Sequence, residues 1–379
     1  MKHLGDMSRL FGVKIRLHWS LLLVLLWAGA EGYRWSNAWT GSLFAIGSII
    51  LFFICVLLHE LSHVWVAQWL DIEVEGITVW PFGGLAKINY VSDKSWPELA
   101  IALAGPAING LISALLLVLL LLIWGPSLLV GFSQYTETVI PGIMQSIFGG
   151  GSAIGLVAFL SLTNFFLAAF NLLPAFPLDG GRVLRAVLAF WFPYPLATKI
   201  AVRLGQTLAL VTIVLTLTPF FGVQSVSLVF ISVFVFVGAT VEDYAVRVRS
   251  KLRQVLVNDV MSKADVAGLT RISPEETLGV IMERAFKSPQ LDLPVVMQGV
   301  VTGMLYRDDL LKALQQGKTN WSVQDIMRTD FPAVLPTDTL HSVQQAMLKS
   351  RLTTLPVLQG KTLIGLVNIR DVNGVTADR

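Results

Sequence analysis

The chain has 379 residues, of which 54% are hydrophobic and only 14% are charged. Soluble globular proteins usually contain about 25% charged residues, so a wholly soluble protein is excluded. The net charge is +3, and the basic residues cluster beside apolar segments, which argues against a nucleic-acid partner. A single cysteine, Cys55, excludes an internal disulfide. Charged residues are sparse up to about residue 241, so we expect a membrane-embedded domain over residues 1–241 and a soluble part after it.

Six apolar segments approach the length of a transmembrane helix, about 20 residues. Lys and Arg residues flank one set of their ends, and the opposite loops contain only Arg34. This asymmetry predicts a multi-pass protein of the cell (inner) membrane, with its N-terminus and C-terminal domain in the cytoplasm. No convincing signal-peptide cleavage site follows the first segment, so we expect it to remain as a helix. The segments are Ile15–Ala30, Ser42–Leu70, Glu98–Trp124, Ala153–Leu173 and two within Gln206–Val241, separated near Thr218–Gly222.

The second segment contains the sequence LLHELSHVWV, from Leu57 to Val66. His59 and His63 are four residues apart, so they share one face of a helix and can bind one zinc ion. Glu60 beside them could act as the base for an attacking water. The alternative is chance, or a buried polar cluster that only packs. Three such groups in hydrocarbon are costly unless they are paired, bind a metal or face water.

A surface hairpin is predicted after this segment, over Glu73–Val91, where β-branched and aromatic residues surround Pro81 and two glycines. Its edge could accept an extended substrate as an added strand. The alternative is a loop that merely packs.

Asp179 follows the fourth segment, in NLLPAFPLDGGRVLR (Asn171–Arg185). Catalytic zinc usually takes three protein ligands, and Asp179 is the first acidic residue after a long uncharged stretch. Pro174 and Pro177 end the helix before it. The competing interpretation is an N-cap aspartate for the helix that follows. Because the histidine pair needs a third ligand, we favour the interpretation of Asp179 as a metal ligand.

The soluble part repeats itself. Val257–Phe286 parallels Val323–Arg351, and Leu293–Leu310 parallels Leu355–Val372, with a period of roughly 60 residues. Each copy is predicted to form a helix, two strands and a helix, too small to bury a core alone, so the two copies should pack together. We expect a helical connector over residues 242–256 and repeats over 257–316 and 323–379.

The N-terminal motifs resemble the site-2 protease family of intramembrane zinc metalloproteases, which act in regulated intramembrane proteolysis. The resemblance rests on HELSH, NLLPAFPLDGG, AGPAIN (Ala104–Asn109) and FGG. It implies a membrane-bound protein substrate and one zinc ion on His59, His63 and Asp179, with Glu60 as catalytic base. It further implies substrate contacts from Phe82, Gly83, Gly84 and Asn171. For Asn171, a hydrogen bond at a helix end is an equally good explanation.

The repeats resemble a tandem pair of CBS domains, which often bind adenine nucleotides such as ATP or AMP. Asp309 and Asp371 match the ribose-binding aspartate of that family. The Ser/Thr expected before each aspartate is absent, because Tyr306 and Asn368 occupy those positions. A purely structural pair, or one that forms a homodimer, is therefore the alternative.

Two functions follow from these motifs. The first is a zinc intramembrane protease, regulated by nucleotide at the CBS pair. The second is a CBS-regulated transporter or channel, which would predict broken helices in repeated halves of the membrane domain. The apolar segments contain no such internal repeat. The combined fold is a multi-pass α-helical membrane domain followed by a soluble α/β module.

Overall fold

The computed structural model describes residues 3–10, 12–81, 83–88, 95–124, 153–218, 225–263, 269–288, 290 and 292–377. The chain divides into two compact units, Met1–Asp243 and Tyr244–Arg379, called below the N-terminal and C-terminal units. The first contains the apolar helices, and the second contains the sequence repeats.

A four-stranded sheet opens the N-terminal unit. Its strands are β1 (His3–Leu10), β2 (Val13–His18), β3 (Val74–Trp80) and β4 (Gly83–Ile88), in the order β1-β2-β3-β4. Strand β2 pairs in parallel with β3, and β3 pairs with β4 as an antiparallel hairpin. The hairpin predicted from the sequence is therefore confirmed. Strand β4 is an outer strand of this sheet.

Apolar helices make up the rest of this unit. Among the described residues, five helices are long and apolar enough to cross a membrane: α2, α3, α4, α6 and α7 in the numbering given next. The helices are α1 (Leu21–Ser36), α2 (Trp39–Trp69), α3 (Ser95–Trp124), α4 (Ala153–Asn171), α5 (Asp179–Leu188), α6 (Tyr194–Leu217) and α7 (Val226–Gln254).

The first predicted segment, Ile15–Ala30, differs from the structure. Its first residues, 15–18, belong to β2, and the helix that follows, α1, has 16 residues, fewer than a span needs. The alternation of buried Val13 and Ile15 with exposed Lys14 and Arg16 has the period of a half-buried strand. Strand β2 forms backbone hydrogen bonds with β3. The first part of the apolar segment is therefore a strand, and the helix that follows is shorter than predicted.

The last two apolar segments also differ at their ends. Helix α6 begins at Tyr194, twelve residues before the predicted start at Gln206, and α7 continues to Gln254. The expected connector is therefore largely a continuation of α7. Thr218 follows α6, and residues 219–222 of the predicted break lie outside the described residues.

The C-terminal unit is α/β. Two copies of helix, hairpin and helix follow one another, as predicted. Their strands join in one sheet of order β5-β9-β7-β6, with β8 paired to β9. The elements are α8 (Val257–Val260), β5 (Ser262–Lys263), α9 (Leu278–Lys287), β6 (Leu293–Met297), β7 (Val300–Leu305), α10 (Arg307–Gln315), α11 (Leu340–Ser350), β8 (Thr354–Gln359), β9 (Thr362–Asn368) and α12 (Ile369–Ala377).

Each copy contributes an aliphatic core. One cluster surrounds Ile281 and Val295 from the first copy. The other surrounds Val343 and Val357 from the second copy and includes Leu252, at the end of α7. Each cluster also includes residues of the other copy, so neither repeat forms its core alone.

Candidate metal centre

The two histidines of the sequence motif lie one turn apart on α2, and both are buried. Their Nε2 atoms are 3.2 Å apart. The Oδ2 atom of Asp179 lies 3.1 Å from His59 Nε2 and 3.2 Å from His63 Nε2. Ligand bonds of about 2.0–2.1 Å in a tetrahedral zinc site place neighbouring ligand atoms about 3.3 Å apart. The three atoms therefore have the spacing of a zinc site and leave a fourth position for water or substrate.

Asp179 is the first residue of α5, and the N-cap position belongs to Leu178. The aspartate is separated from His59 by 120 positions in the chain, and the turn after α4 carries it back to α2. Its carboxylate faces the two imidazoles, so the N-cap alternative does not describe it. Among the described residues, His59, His63 and Asp179 are the group that could hold a metal ion.

Hydrogen bonds behind the imidazoles decide which ring nitrogen is free. His63 Nδ1 lies 2.6 Å from the carbonyl oxygen of Ile101 and can only donate to it. That bond leaves the lone pair of His63 on Nε2, the nitrogen that faces Asp179. His59 Nδ1 contacts the side-chain amide of Asn109 at 3.0 Å. Both imidazoles therefore have a polar partner at the ring nitrogen that faces away from Asp179, a feature typical of metal-binding histidines.

Helix α3 approaches the two imidazoles through Gly105. A Cβ atom at this position would lie 2.6 Å from His59 Nε2 and would also meet His63 Nε2. Any larger residue would fill the space in front of the ligand atoms. The donor set, its spacing and this space all fit a bound zinc ion.

Glu60 is buried next to His59 and reaches toward the sheet. A Cβ atom on Gly84 of strand β4 would lie 2.7 Å from Glu60 Oε1. The Glu60 carboxylate therefore lies against the outer strand of the sheet. A base in this position could serve a substrate held along that strand.

The remaining residues predicted to contact substrate are less informative. Gly83 starts β4 opposite Trp80. Asn171 is the last residue of α4 and is half-buried. Phe82 lies outside the described residues.

A buried ion-pair network holds α5, the helix that begins with Asp179. Arg185 Nε donates to Glu98 Oε1 of α3 at 2.9 Å, and Arg185 Nη1 donates to Glu242 Oε1 of α7 at 2.5 Å. The guanidinium also lies 4.8 Å from the ring centre of Phe176 and 4.9 Å from that of Tyr194. The network fixes the metal-facing helix against two of the apolar helices.

Sequence analysis assigned no role at the site to three of these residues. Gly105 and Asn109 lie in AGPAIN, which was singled out without a role for either residue. Arg185 lies in the aspartate motif, again without a role. The signal for Arg185 was present, because a cation between apolar segments calls for a partner.

The two aspartates predicted to bind ribose lie in different settings. Asp309 forms two bonds with Arg328, at 2.7 and 3.0 Å. Asp371 accepts from the backbone N–H of Asn368 at 2.8 Å, and burial raises the pKa of its carboxyl above the usual value. Beside Asp309 is a cavity of about 310 Å³ whose charged lining includes Lys312 and Lys318. Asp309 is therefore the aspartate next to open space, although its carboxylate already has a cationic partner.

Comparison with known proteins gives the family. The model of peptidase family M50 matches residues 47–217, and the CBS domain model matches residues 257–316 and 323–376. The chain belongs to peptidase family M50. Over 367 residues this M50 protein is 29% identical to a zinc metalloprotease of Methanocaldococcus jannaschii, a match that covers 96% of this chain and 93% of the relative. Rip3 of Mycobacterium tuberculosis is 28% identical over 397 residues, covering 98% of this chain and 92% of Rip3.

Among solved structures, a site-2 protease from Methanocaldococcus jannaschii is 31% identical, with a TM-score of 0.43. The match covers 62% of this chain and 94% of that structure. The expected resemblance is confirmed: this M50 protein is a site-2-type zinc metalloprotease with a CBS pair. It is a membrane protein, and peptidases of this family act on protein substrates. These matches leave the transporter or channel alternative without support.

Proposed function

We propose that this protein is an intramembrane zinc endopeptidase that cleaves transmembrane segments of membrane-bound substrate proteins, in regulated intramembrane proteolysis. One observation carries the proposal. Three potential ligand atoms lie 3.1–3.2 Å apart, and two of them belong to a helix apolar and long enough to cross a membrane.

His59, His63 and Asp179 would hold the ion, since they offer the imidazole and carboxylate atoms that zinc prefers. When bound, zinc supplies an activated water near neutral pH and polarises the scissile carbonyl. Glu60 would accept the proton of the attacking water on its carboxylate and deliver it to the leaving amine nitrogen. Gly84 supports this role, because the absence of a side chain there leaves room for the Glu60 carboxylate.

The substrate must be unwound before it is cut, because the peptide bonds of a membrane helix are hydrogen-bonded and shielded. Strand β4 is an outer strand, so an unwound segment could pair with it. We assign substrate contacts to Phe82, Gly83 and Gly84 at this strand, and to Asn171 at the end of α4. The contact of Gly84 with Glu60 supports this assignment, since a chain bound to β4 would lie near the base.

Cleavage within the membrane is tested with the protein in liposomes and a single-pass model substrate. The wild type should give two products whose masses locate the cut inside the transmembrane segment. A zinc chelator and Asp179→Ala should both abolish cleavage. Products cut only in an extramembrane part of the substrate would contradict intramembrane proteolysis, and full activity of Asp179→Ala would contradict the metal site.

We further propose that the protein lies in the cell (inner) membrane with its N-terminus and C-terminal unit in the cytoplasm. The distribution of Lys and Arg between the loops supports this orientation. Protease added outside intact cells should leave a tag at either end uncut. Cleavage of either tag in intact cells would contradict the orientation.

The CBS pair is proposed to bind ATP or AMP and to regulate cleavage, with Asp309 and Asp371 as ribose acceptors. The cationic cavity beside Asp309 supports this at the first repeat, since phosphates favour Lys and Arg. Equilibrium dialysis with labelled AMP should show binding by wild type and weaker binding by Asp309→Ala. Equal binding by both would contradict the ribose role of Asp309. A homodimer through the CBS pair is a companion proposal, tested by the mass of the detergent-solubilised particle.

A further inference from the structure

Two asparagines are buried in the apolar helices α3 and α4, which contact each other through Ser113 and Ser161. Asn109 of α3 is 0% exposed, and Asn164 of α4 is 1% exposed. Among the described residues, neither Oδ1 atom has a hydrogen-bond partner. A buried amide oxygen without a partner costs about 1–3 kcal/mol, so two of them in helices that contact each other call for an explanation.

The contact between Asn109 and His59 gives the first part of that explanation. Asn109 Nδ2 lies 3.0 Å from His59 Nδ1. An amide nitrogen only donates, so in this orientation His59 Nδ1 must accept and Nε2 must carry the ring proton. A protonated Nε2 could not bind a metal, although this is the atom 3.1 Å from Asp179 Oδ2.

Rotation of the Asn109 amide by 180° removes this conflict. The rotation exchanges the positions of Oδ1 and Nδ2 with little change in shape. Oδ1 then accepts a hydrogen bond from His59 Nδ1–H, and the lone pair of His59 lies on Nε2. His63 already has this arrangement through the carbonyl oxygen of Ile101. The same rotation gives the unpartnered oxygen of Asn109 a donor.

The packing of α3 against α4 indicates what Asn109 Nδ2 faces after this rotation. Ser113 and Ser161 exchange hydrogen bonds across these helices, each hydroxyl donating to the other's carbonyl oxygen at 2.8 and 3.0 Å. Asn109 precedes Ser113 by about one turn, and Asn164 follows Ser161 by about one turn. Along α3, the contact with the imidazoles at Gly105 comes before Ser113, whereas along α4 the chain reaches Asp179 only after Ser161. The two helices therefore run in opposite directions past the metal centre. Asn109 and Asn164 are therefore level with each other.

We propose that Asn164 and Asn109 form a hydrogen-bonded chain that ends at His59 and holds its Nε2 lone pair toward the metal. Asn109 Nδ2 donates to Asn164 Oδ1, and Asn109 Oδ1 accepts from His59 Nδ1–H. Asn164 is itself oriented by a bond from its Nδ2 to the Leu160 carbonyl oxygen, at 2.7 Å. Both asparagines are positioning residues, and the inference rests on the zinc site proposed above.

Zinc affinity, measured by chelator competition on the purified full-length protein, tests this chain. Removal of a group that forms a hydrogen bond with a metal-binding side chain typically weakens metal binding about 10- to 100-fold. We expect that loss for Asn109→Leu. Asn109→Asp keeps an acceptor oxygen for His59 and should bind zinc within about threefold of wild type. Asn164→Leu should lose roughly three- to tenfold, because Asn109 remains but is no longer held in one orientation.

Ser113→Ala is the matched control, since it breaks a buried bond between the same helices one turn away. It should lower the unfolding temperature and leave zinc affinity unchanged. Unchanged affinity in Asn109→Leu, or a loss in Asn109→Asp as large as in Asn109→Leu, would overturn the role of Asn109. Unchanged affinity in Asn164→Leu would overturn the role of Asn164.

An equal loss in Ser113→Ala would reduce the effect to general packing and overturn the proposal. If Asn109→Leu does not fold, the comparison of Asn109→Asp and Asn164→Leu with wild type still decides it. Wild type that binds no zinc would contradict the proposed function itself, whereas wild type and Asn109→Leu that bind zinc equally would contradict only this inference.

Discussion

The two units differ in how many polar side chains are buried in their interiors. The N-terminal unit buries the histidine pair, Glu60, the Glu98–Arg185 pair and the two asparagines among apolar helices. Among the described residues of the C-terminal unit, the buried polar or charged side chains are Asp292 and Thr354. The ion pair of Asp309 and Arg328 is partly exposed and lines the cavity described above, a position called the rim below. Polar groups are therefore concentrated in the interior of the first unit, whereas the ion pair beside the cavity of the second is partly exposed.

This contrast is tested most strongly at Arg185. Breaking a buried ion pair leaves an uncompensated charge and costs about 3–5 kcal/mol, which is the loss of unfolding free energy expected for Arg185→Leu. Glu98 and Glu242 would both lose their cation. Thermal unfolding in detergent measures the effect. Arg34→Ala is the control, because Arg34 is 72% exposed in its pair with Glu31 and should change stability by less than about 1 kcal/mol.

The core of the C-terminal unit should respond in stability alone. Leu355 is fully buried there, and Leu355→Ala should cost about 2–5 kcal/mol. The zinc content of this variant should equal that of wild type, because the proposed ligands lie in the other unit. Leu348→Ala, at a position 71% exposed, should change stability little. Loss of zinc in folded Leu355→Ala would contradict the separation of roles.

Gly105→Ala sharpens the comparison inside the N-terminal unit. The added methyl group would occupy the space in front of the two Nε2 atoms, and such overpacking costs about 1–3 kcal/mol. We expect zinc affinity to fall about 10- to 100-fold by chelator competition. Gly110→Ala adds the same methyl group to the same helix, at a position where no described atom beyond the adjacent helix backbone lies within 4 Å, and should leave affinity unchanged. Equal effects of the two variants would place the metal elsewhere.

The smallest effect is expected at the rim of the C-terminal unit. The Arg328 side chain is 46% exposed, so its pair with Asp309 is largely screened by water. Arg328→Gln should lower the unfolding free energy by at most about 1 kcal/mol. Chemical denaturation checks this value, and a loss above about 2 kcal/mol would show that the rim pair behaves like the buried Arg185 network.

The sequence predicted the three residues that the structure brings together, because helical spacing pairs His59 with His63 and Asp179 stands out after a long uncharged stretch. It could not distinguish Gly105 from Gly110, since both are glycines of one apolar helix and only packing separates them. Asn109 reaches His59 across 50 positions of chain, which no local pattern encodes. The start of α1 was missed for another reason: the strand alternation from Val13 to Leu17 adjoins an apolar run that dominated the prediction.

Glu60→Gln provides the most direct test of the central claim, because this change removes the proposed base and leaves the three ligands intact. Zinc per chain and cleavage of a transmembrane substrate are measured on the same purified sample. The proposed roles predict about one zinc per chain, as in wild type, and a rate lower by about 10²- to 10⁴-fold. Wild-type cleavage by Glu60→Gln would contradict the assignment of the base, and wild type without zinc would contradict the metal centre.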